Sequence, residues 1–446
     1  MKLEVFQAGK GDCLLLTSDD GKRVLVDGGM EDAYRDHVAP ALGKLRDQRK
    51  AIDLLYVSHI DDDHIGGVLK LLSDELAWRV FDFQKKVARN SKAKPPSVPR
   101  PAEIAGIWHN AFDMQLDKNT GRIEDALATS AALLEASPRA ADLEEAARMR
   151  ELVTGVDSAL RVSHRVGADQ LDIPLNKQFG KKLAMARPGQ RPIRMGSLKM
   201  TVIGPHQDHL DRLRKWWNDW ISDVENQGKL ERVREDMADD AKKLETGDVD
   251  GFNAAIQNRA LEFSDRVTKT VVPKRPGITE PNLASLMLFV EEDGKRLLLT
   301  GDGAGEDIVE GLERAGVLPA GDGIHVDVLK VQHHGAVANV KADFCRRVTA
   351  DNYVLCGNGD HKNPEKDVLN RIIDSRLEPR ARGSHAGVDR PFKLWFNSSV
   401  QVCGTTKREA HMDMVEKLVA KREADSGGQM RKSRFLRSGS SYVLEP

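Results

Sequence analysis

Apolar residues in this chain fall into short runs closed by Asp- and Gly-rich turns, and that pattern repeats. Met1–Phe6 alternates like a strand. Leu14-Leu15-Leu16-Thr17, the turn Asp19-Asp20-Gly21 and Arg23-Val24-Leu25-Val26 predict a hairpin ending at Asp27-Gly28-Gly29. Leu54-Leu55-Tyr56-Val57 predicts a buried strand, and a helix is expected to begin with Val68-Leu69-Lys70-Leu71-Leu72, just past Gly67. A second set follows far downstream. Leu286–Val290, the turn Glu292-Asp293-Gly294 and Arg296–Thr300 predict another hairpin, ending at Gly301-Asp302-Gly303. Strands over 325–331 and 353–356 come next, with helices between them.

The stretch between the two sets has a different texture. Lys85 to Pro101 is rich in Lys, Arg, Pro and Ser and predicts an exposed loop. Residues 123–162 carry helical spacing, a strand over 198–203 ends at Gly204-Pro205, and 208–268 predict charged, solvated helices. Trp216, Trp217 and Trp220 there are expected to anchor a core or interface.

The two strand-rich sets share their order. Asp20-Gly21-Lys22-Arg23, an apolar run and Asp27 parallel Asp293-Gly294-Lys295-Arg296, an apolar run and Asp302. Asp53–His59 parallels Asp327–His333, and the offset stays between 273 and 275. A duplicated hairpin–helix–strand unit suggests two sheets packed about a pseudo-dyad. Corresponding strand ends would then bring Asp27, His59, Asp302 and His333 together.

Chemistry concentrates at those ends. Ser58-His59-Ile60-Asp61-Asp62-Asp63-His64 places two imidazoles and three carboxylates within six residues at the end of a buried strand. Such density costs several kcal/mol, on the order of a lost ion pair or more, unless cations compensate. His59, Asp61, Asp63, His64, Asp302 and one of His333 or His334 would suffice for two divalent cations sharing a carboxylate and a hydroxide. Carboxylate-rich ligation brings Mn²⁺ into competition with Zn²⁺. Asp63 would ligate or orient the nucleophile, and whichever of His333 and His334 does not ligate would protonate the leaving group. Asp27 is expected to hold the metal loop by hydrogen bonds, and His109 and His361 are further accessory candidates. Gly9-Lys10-Gly11-Asp12 lacks phosphate-loop spacing and predicts a tight turn near the site. His206, His209 and His325 read as surface or satisfied histidines.

Charge and cysteine content narrow the class. With 68 Lys and Arg against 69 Asp and Glu, the formal charge of −1 supplies no global field for nucleic acid. Only Lys85–Arg100 and Lys417–Arg437 offer basic stretches. The four dispersed cysteines fit a reducing compartment and no disulfide framework. No stretch approaches the roughly 18 apolar residues of a membrane span, so a cytoplasmic location without a membrane span is expected.

These residues resemble the metallo-β-lactamase superfamily, whose signature H-x-H-x-D-H reads here His59-x-Asp61-x-Asp63-His64. The Asp at 61 looks like the variant in the β-lactamase-like domain of the DNA-uptake protein ComEC and its stand-alone soluble relatives. Gly9–Asp12, Leu25–Gly29, Asn282-x-x-Ser285, Leu299–Asp302 and Lys330–Gly335 match that subgroup's order. The resemblance covers about residues 1–80 and 195–375. It implies an α/β fold, a four-layer αββα sandwich from two related halves with a mainly helical insertion. The halves would be 1–80 and 281–375, with insertions at 81–194 and 208–280, a returning strand at 195–207 and an extension at 376–446. It implies a dinuclear Zn²⁺ or Mn²⁺ site and hydrolysis of a phosphodiester, with DNA among the candidates. The superfamily's third-motif histidine is not evident; Asn282, a weaker ligand, stands near its place. The same site suits a small ester, thioester or lactam as an alternative substrate. The helical insertion suggests a protein partner, making the chain in a third reading a subunit of a bacterial defence or competence-related assembly.

Overall fold

The computed structural model describes residues 1–110, 128–132, 134–226, 249–267, 284–377 and 389–446. Asn282 and the side chains of Trp216, Trp217 and Trp220 lie outside the described parts.

The first hairpin forms as β2 (Leu14–Thr17) and β3 (Arg23–Val26), with β1 (Lys2–Phe6) antiparallel to β2. β4 (Leu54–Tyr56) and β5 (Ile107–Trp108) add in parallel on the far side of β3. The last strand, β14 (Ser441–Leu444), closes the other edge against β1. The second sheet takes the order β13-β12-β11-β10-β9-β8-β7-β6. Its strands are β6 (Ile193–Met195), β7 (Leu198–Gly204), β8 (Met287–Glu292), β9 (Lys295–Leu299), β10 (Ile324–Lys330), β11 (Val348–Leu355), β12 (Lys393–Phe396) and β13 (Arg434–Phe435). β6 to β9 run antiparallel and β9 to β13 parallel.

Alternation along the strands decides what each face meets. Leu54 and Tyr56 join Val24, Val26, Leu288, Val290, Leu297, Leu299, Val328 and Val354 in a cluster drawn from both sheets. Leu55 and Val57 turn the other way, onto the helices Asp62–Lys86 and Ala140–Val166. Leu298, Leu329, Tyr353 and Leu355 of the second sheet likewise meet the helices Gly305–Arg314, Ala342–Arg347, Lys366–Leu377 and Thr406–Asp425.

The internal repeat extends to side chains. Asp53 accepts hydrogen bonds from the Arg23 main chain at 2.9 Å and Lys22 Nζ at 2.8 Å. Asp327 does the same with Arg296 at 2.8 Å and Lys295 Nζ at 3.5 Å. Each hairpin thereby fastens to its parallel neighbour at the same point. Strand pairing also corrects one equivalence. Val26 pairs with Tyr56 and Leu298 with Leu329, so Asp27 corresponds in register to Thr300, and Asp302 sits two residues beyond.

Other expectations shift. The helix starts at Asp62, inside the acidic turn, so Asp62, Asp63 and His64 form its first turn and Gly66-Gly67 lie within it. Carboxylates at a helix N-terminus favour that start, because they meet the positive end of the helix dipole. Residues 81–194 do more than insert, since β5 pairs with β4 and β6 with β7. Residues 376–446 are not a detached extension: they supply β12 and β13 to one sheet and β14 to the other. In 208–268, helices cover Gln207–Asn226 and Val249–Val267.

Leu444 on β14 is 1 % exposed and belongs to the cluster between the sheets. Leu444→Ala is expected to cost about 2–5 kcal/mol, read as a lower urea midpoint with an unchanged slope. A cost below about 0.5 kcal/mol, the scale of surface substitutions, would show that β14 is no part of the cooperative unit.

Candidate metal centre

Three loops interlock before any side chain is placed. After β3, Asp27 takes a left-handed φ of 56°, and the next main-chain N–H, of Gly28, donates to His64 O at 2.8 Å. Gly67 N–H donates back to Gly29 O at 2.8 Å. A Cβ on Gly67 would stand 2.1 Å from Gly28 O, so only glycine lets the helix approach this close. The third loop comes from the N-terminus. Asp12 N–H donates to Asp63 O at 3.2 Å, and a Cβ on Gly11 would sit 1.7 Å from that same oxygen. The Gly9–Asp12 turn and the Asp27–Gly29 loop therefore grip the first turn of the helix from two sides.

Side chains from both halves converge on His64. Asp27 accepts from Ser58 N at 2.7 Å and Ser58 Oγ at 2.6 Å, and its Oδ2 lies 3.0 Å from His64 Nδ1. With Nδ1 committed to Asp27, His64 turns Nε2 outward to within 3.2 Å of Asp302 Oδ1. The second half builds a similar pair. Asp12 Oδ1 lies 3.3 Å from His334 Nδ1, and His334 Nε2 lies 3.1 Å from Asp63 Oδ2 and 3.7 Å from Asp302 Oδ2. A carboxylate behind an imidazole sets its tautomer and aims its other nitrogen, a common arrangement around bound metals. Donor atoms gather into compact groups, His59 with His64 and Asp302, and Asp63 with His64 and His334, each within 4.8 Å.

Lys330 supplies the fixed positive charge. It is 1 % exposed, its Nζ pairs with Asp12, lies 3.9 Å from Asp302 Oδ1 and donates to Gly301 O at 3.2 Å. Burial opposes its charge, but Asp12 and Asp302 outweigh burial and raise its pKa. Burial pushes Asp12 up, yet Lys330, His334 and His64 bring it to about 2. Burial likewise disfavours the charged forms of His64 and His334. The carboxylates win: Asp302 and Asp27 raise His64, and Asp302 and Asp12 take His334 to about 9. Asp302 is held well below the usual range, burial being overcome by His64, His333 and His334. Asp61 goes the other way, up to about 8, from burial and then from Asp63 and Asp302. The metal-free cluster thus carries more carboxylate than it can neutralise and recruits protons.

Cations fit this cluster. Among the described residues, Nε2 of His59, His64 and His334 and Oδ1 of Asp61 and Asp302 lack a well-formed hydrogen bond, the His64 and His334 nitrogens meeting carboxylates only at ion-pair distances of 3.1–3.7 Å. Imidazole nitrogens and carboxylate oxygens aimed at a common space are the donor set of a divalent transition metal.

Every sequence candidate within the described residues can now be placed. His59, Asp61, Asp63, His64, Asp302 and His334 gather here, with Asp27 behind His64. His334 is the buried member of its pair, while His333, its side chain 24 % exposed, sits at the rim with Nε2 3.8 Å from Asp302 Oδ2 and Nδ1 2.8 Å from Asn339 Oδ1. His109 is buried and lines, with Ser58, His59 and Ile60, a cavity of about 10 Å³. Its Nε2 has no partner among the described residues, and burial lowers its pKa to about 4. His361 is exposed in the turn after β11 and joins none of these donor groups. His325 is satisfied as expected, by Thr349 and Asp351, each at 2.9 Å. His206 and His209 are not surface residues; both are buried with Nε2 unpartnered.

Asp12, Lys330 and Ser58 carry functions that the sequence reading did not assign. Lys330 had a usable signal. It shares a strand face with Val328, two residues earlier, which packs between the sheets, and a lysine there needs a buried anion.

Residues 7–74 match the sequence model of the Metallo-beta-lactamase superfamily, a span that holds Asp12, Asp27 and His59 to His64 but ends before Asp302. A 104-residue stretch, 23 % of this chain, is 28 % identical to "Beta-lactamase-like protein 2 homolog" of Drosophila melanogaster. The aligned stretch spans about a third, 34 %, of that protein's length. No described helix is long and apolar enough to cross a membrane.

Asp27→Asn keeps the shape but loses the carboxylate behind His64, and is expected to weaken divalent-metal affinity by about 10–100-fold in calorimetric titration. Unchanged affinity would remove Asp27 from the site's support. A pH series tests the electrostatics. His334 keeps its proton up to about pH 9, so an incoming cation must displace it. Affinity should fall at least about tenfold for each pH unit below that point, more where Asp61 and His64 also give up protons, and the protons released on binding should appear as a dependence on buffer ionisation heat. A flat profile between pH 6 and 9 would contradict the raised imidazole.

Proposed function

We propose that this chain is a metal-dependent phosphodiesterase built as a four-layer αββα sandwich, with two divalent cations held by His59, Asp61, Asp63, His64, Asp302 and His334. One observation carries the reading. Donor nitrogens and oxygens from both halves of the chain, lacking well-formed hydrogen bonds among the described residues, gather around Asp302. Charge supports two cations. Once ligation displaces the protons held by His64, His334 and Asp61, Asp12, Asp27, Asp61, Asp63 and Asp302 against Lys330 leave four negative charges, which two divalent ions cancel. The similarity of residues 7–74 to the Metallo-beta-lactamase superfamily points to metal-dependent hydrolysis.

The chain's own residues divide the work. Bound there, divalent cations would lower the pKa of a water molecule and take up charge developing on a phosphoryl oxygen. Asp302 presents one oxygen toward His64 and the other toward His334 and His333. Asp27 and Asp12 hold the two buried imidazoles so that neither can rotate away. His333, partly open to solvent at the rim and tied by Asn339, is placed to give a proton to a departing oxygen. An alkoxide leaving group needs that proton more than an activated aryloxide does, so His333 should matter most for alkyl diesters.

The test is a substrate panel with Mn²⁺ or Zn²⁺: bis(p-nitrophenyl) phosphate, single- and double-stranded DNA, and p-nitrophenyl acetate. Diester hydrolysis should exceed ester hydrolysis, and Asp302→Ala and Asp63→Ala should each lower kcat/KM by about a thousandfold, roughly 4 kcal/mol. His333→Ala should lower kcat by about a hundredfold on DNA or alkyl diesters and much less on the activated aryl diester. Ester hydrolysis faster than diester hydrolysis would transfer the assignment to small esters, thioesters or lactams. Absence of any phosphodiester cleavage sinks the present one.

A further inference from the structure

A second cluster of metal-type donors lies where β7 ends. His206 and His209, spaced i and i+3, stand at the start of the helix Gln207–Asn226. Asp307 and Glu310, also i and i+3, stand on the helix Gly305–Arg314. His206, His209 and Asp307 are only 6 %, 1 % and 2 % exposed. His209 Nε2 is 3.7 Å from Asp307 Oδ1, and one donor atom each from His209, Asp307 and Glu310 lies within 4.8 Å of the others. The His206 ring stands edge-on to His209 with centroids 5.5 Å apart.

Neither imidazole is satisfied. Nε2 of His206 and Nε2 of His209 have no hydrogen-bond partner among the described residues. Buried polar atoms are rarely left so, and two side by side call for a ligand. The main-chain N–H of His206 lies 3.5 Å from His209 Nδ1, too long to fix the tautomer.

We propose that His206, His209, Asp307 and Glu310 form a second, structural divalent-metal site, with Zn²⁺ the ion it fits best. Two imidazole nitrogens with two carboxylate oxygens make a closed four-ligand set. Donors each about 2.0–2.1 Å from one tetrahedral ion stand roughly 3.4 Å apart, close to the His209–Asp307 separation. Charge also favours a cation. Arg314 binds Glu310 and lies 3.1 Å from Asp208, and Arg212 lies 4.0 Å from Asp208, so Asp208, Asp307 and Glu310 against Arg212 and Arg314 leave a net negative charge beside the imidazoles. His206 also lines an open cleft of about 940 Å³ with Asp208 and Arg314, which gives the ion a way in. The consequence is mechanical. Asp302 lies three residues before the helix that carries Asp307, so the ion would clamp the helix after β7 to the element that positions the catalytic carboxylate.

The full chain, stripped with chelator, reloaded with Zn²⁺ and dialysed, is assayed for zinc per chain by mass spectrometry. His206→Asn/His209→Asn should lose one equivalent relative to the parent, and Asp63→Ala/His334→Ala should keep that equivalent. Zn²⁺ should raise the Tm of Asp63→Ala/His334→Ala by more than that of the fourfold variant. These arms separate this site from the catalytic one: if the catalytic cluster holds no metal, the parent binds one zinc and the His206/His209 variant none. Should that double variant fail to fold, Asp307→Asn decides, with zinc affinity lowered by at least about tenfold and far-ultraviolet circular dichroism retained. Equal zinc content in the parent and His206→Asn/His209→Asn, no zinc in Asp63→Ala/His334→Ala, or undiminished affinity in Asp307→Asn each overturns the proposal.

Discussion

Negative charge gathered at the junction of the two halves is the constraint on which the rest of the molecule depends. Asp12, Asp27 and Asp302 are fully buried, and Asp61 and Asp63 are partly so. Among the described residues Lys330 alone answers them with a permanent charge, and it comes from the opposite sheet to Asp12. That pair is therefore a bond between sheets as well as a charge balance. Removing one partner from such a buried pair typically costs about 3–5 kcal/mol, because the other charge is left stranded. The interlocked glycine loops become intelligible on these terms. They bring Asp12, Asp27 and Asp63 close enough to repel one another, which a fold tolerates only when protons or cations occupy the space between them.

Much of the framework was legible because repetition and turn chemistry are local signals. Both D-G-K-R hairpins, the parallel strand after each and the offset near 273 appear in the structure as β2-β3-β4 and β8-β9-β10. Composition could not show that Lys22 and Lys295 do the same work, since each needs an Asp some thirty residues downstream. The start of the helix was misread for a related reason. Two glycines look like a stop, yet here they are inside the helix because another backbone loop presses against them. Which sheet each C-terminal strand joins depends on pairings nearly the length of the chain apart, such as Leu3 with Leu444.

The site divided along the same line. His59 to His64 announced itself by density, and Asp302 with His333-His334 by the repeat. Register refined that: Asp302 is offset from the residue matching Asp27, so the two halves contribute different groups, a supporting carboxylate from one and a central carboxylate from the other. Asp12 was hidden in what looked like a plain turn, and Lys330 in an apolar strand. Neither has meaning alone, because each is the reason the other can be buried. His206 and His209 were misjudged since a helix start rich in charge looks solvent-facing until the facing helix is known.

Three residues of the site also share an unusual backbone. Asp27, His333 and His334 all adopt left-handed φ values of 56°, 46° and 54°. Such strain, on the order of 1 kcal/mol or more per residue, persists where surroundings over-determine it and collects at functional sites. The adjacent strained pair explains how neighbouring histidines separate in role. Successive left-handed residues turn His334 inward to Asp63 and Asp12 while His333 stays at the rim. His64 Nε2, although common to both groups around Asp302, can ligate one cation only. On the two-cation proposal the division between the ions would fall to Asp302, whose oxygens face different imidazoles, Oδ1 toward His64 at 3.2 Å and Oδ2 toward His334 at 3.7 Å. The carboxylate contributed by the second half is thus the one group that neither half could replace from its own residues.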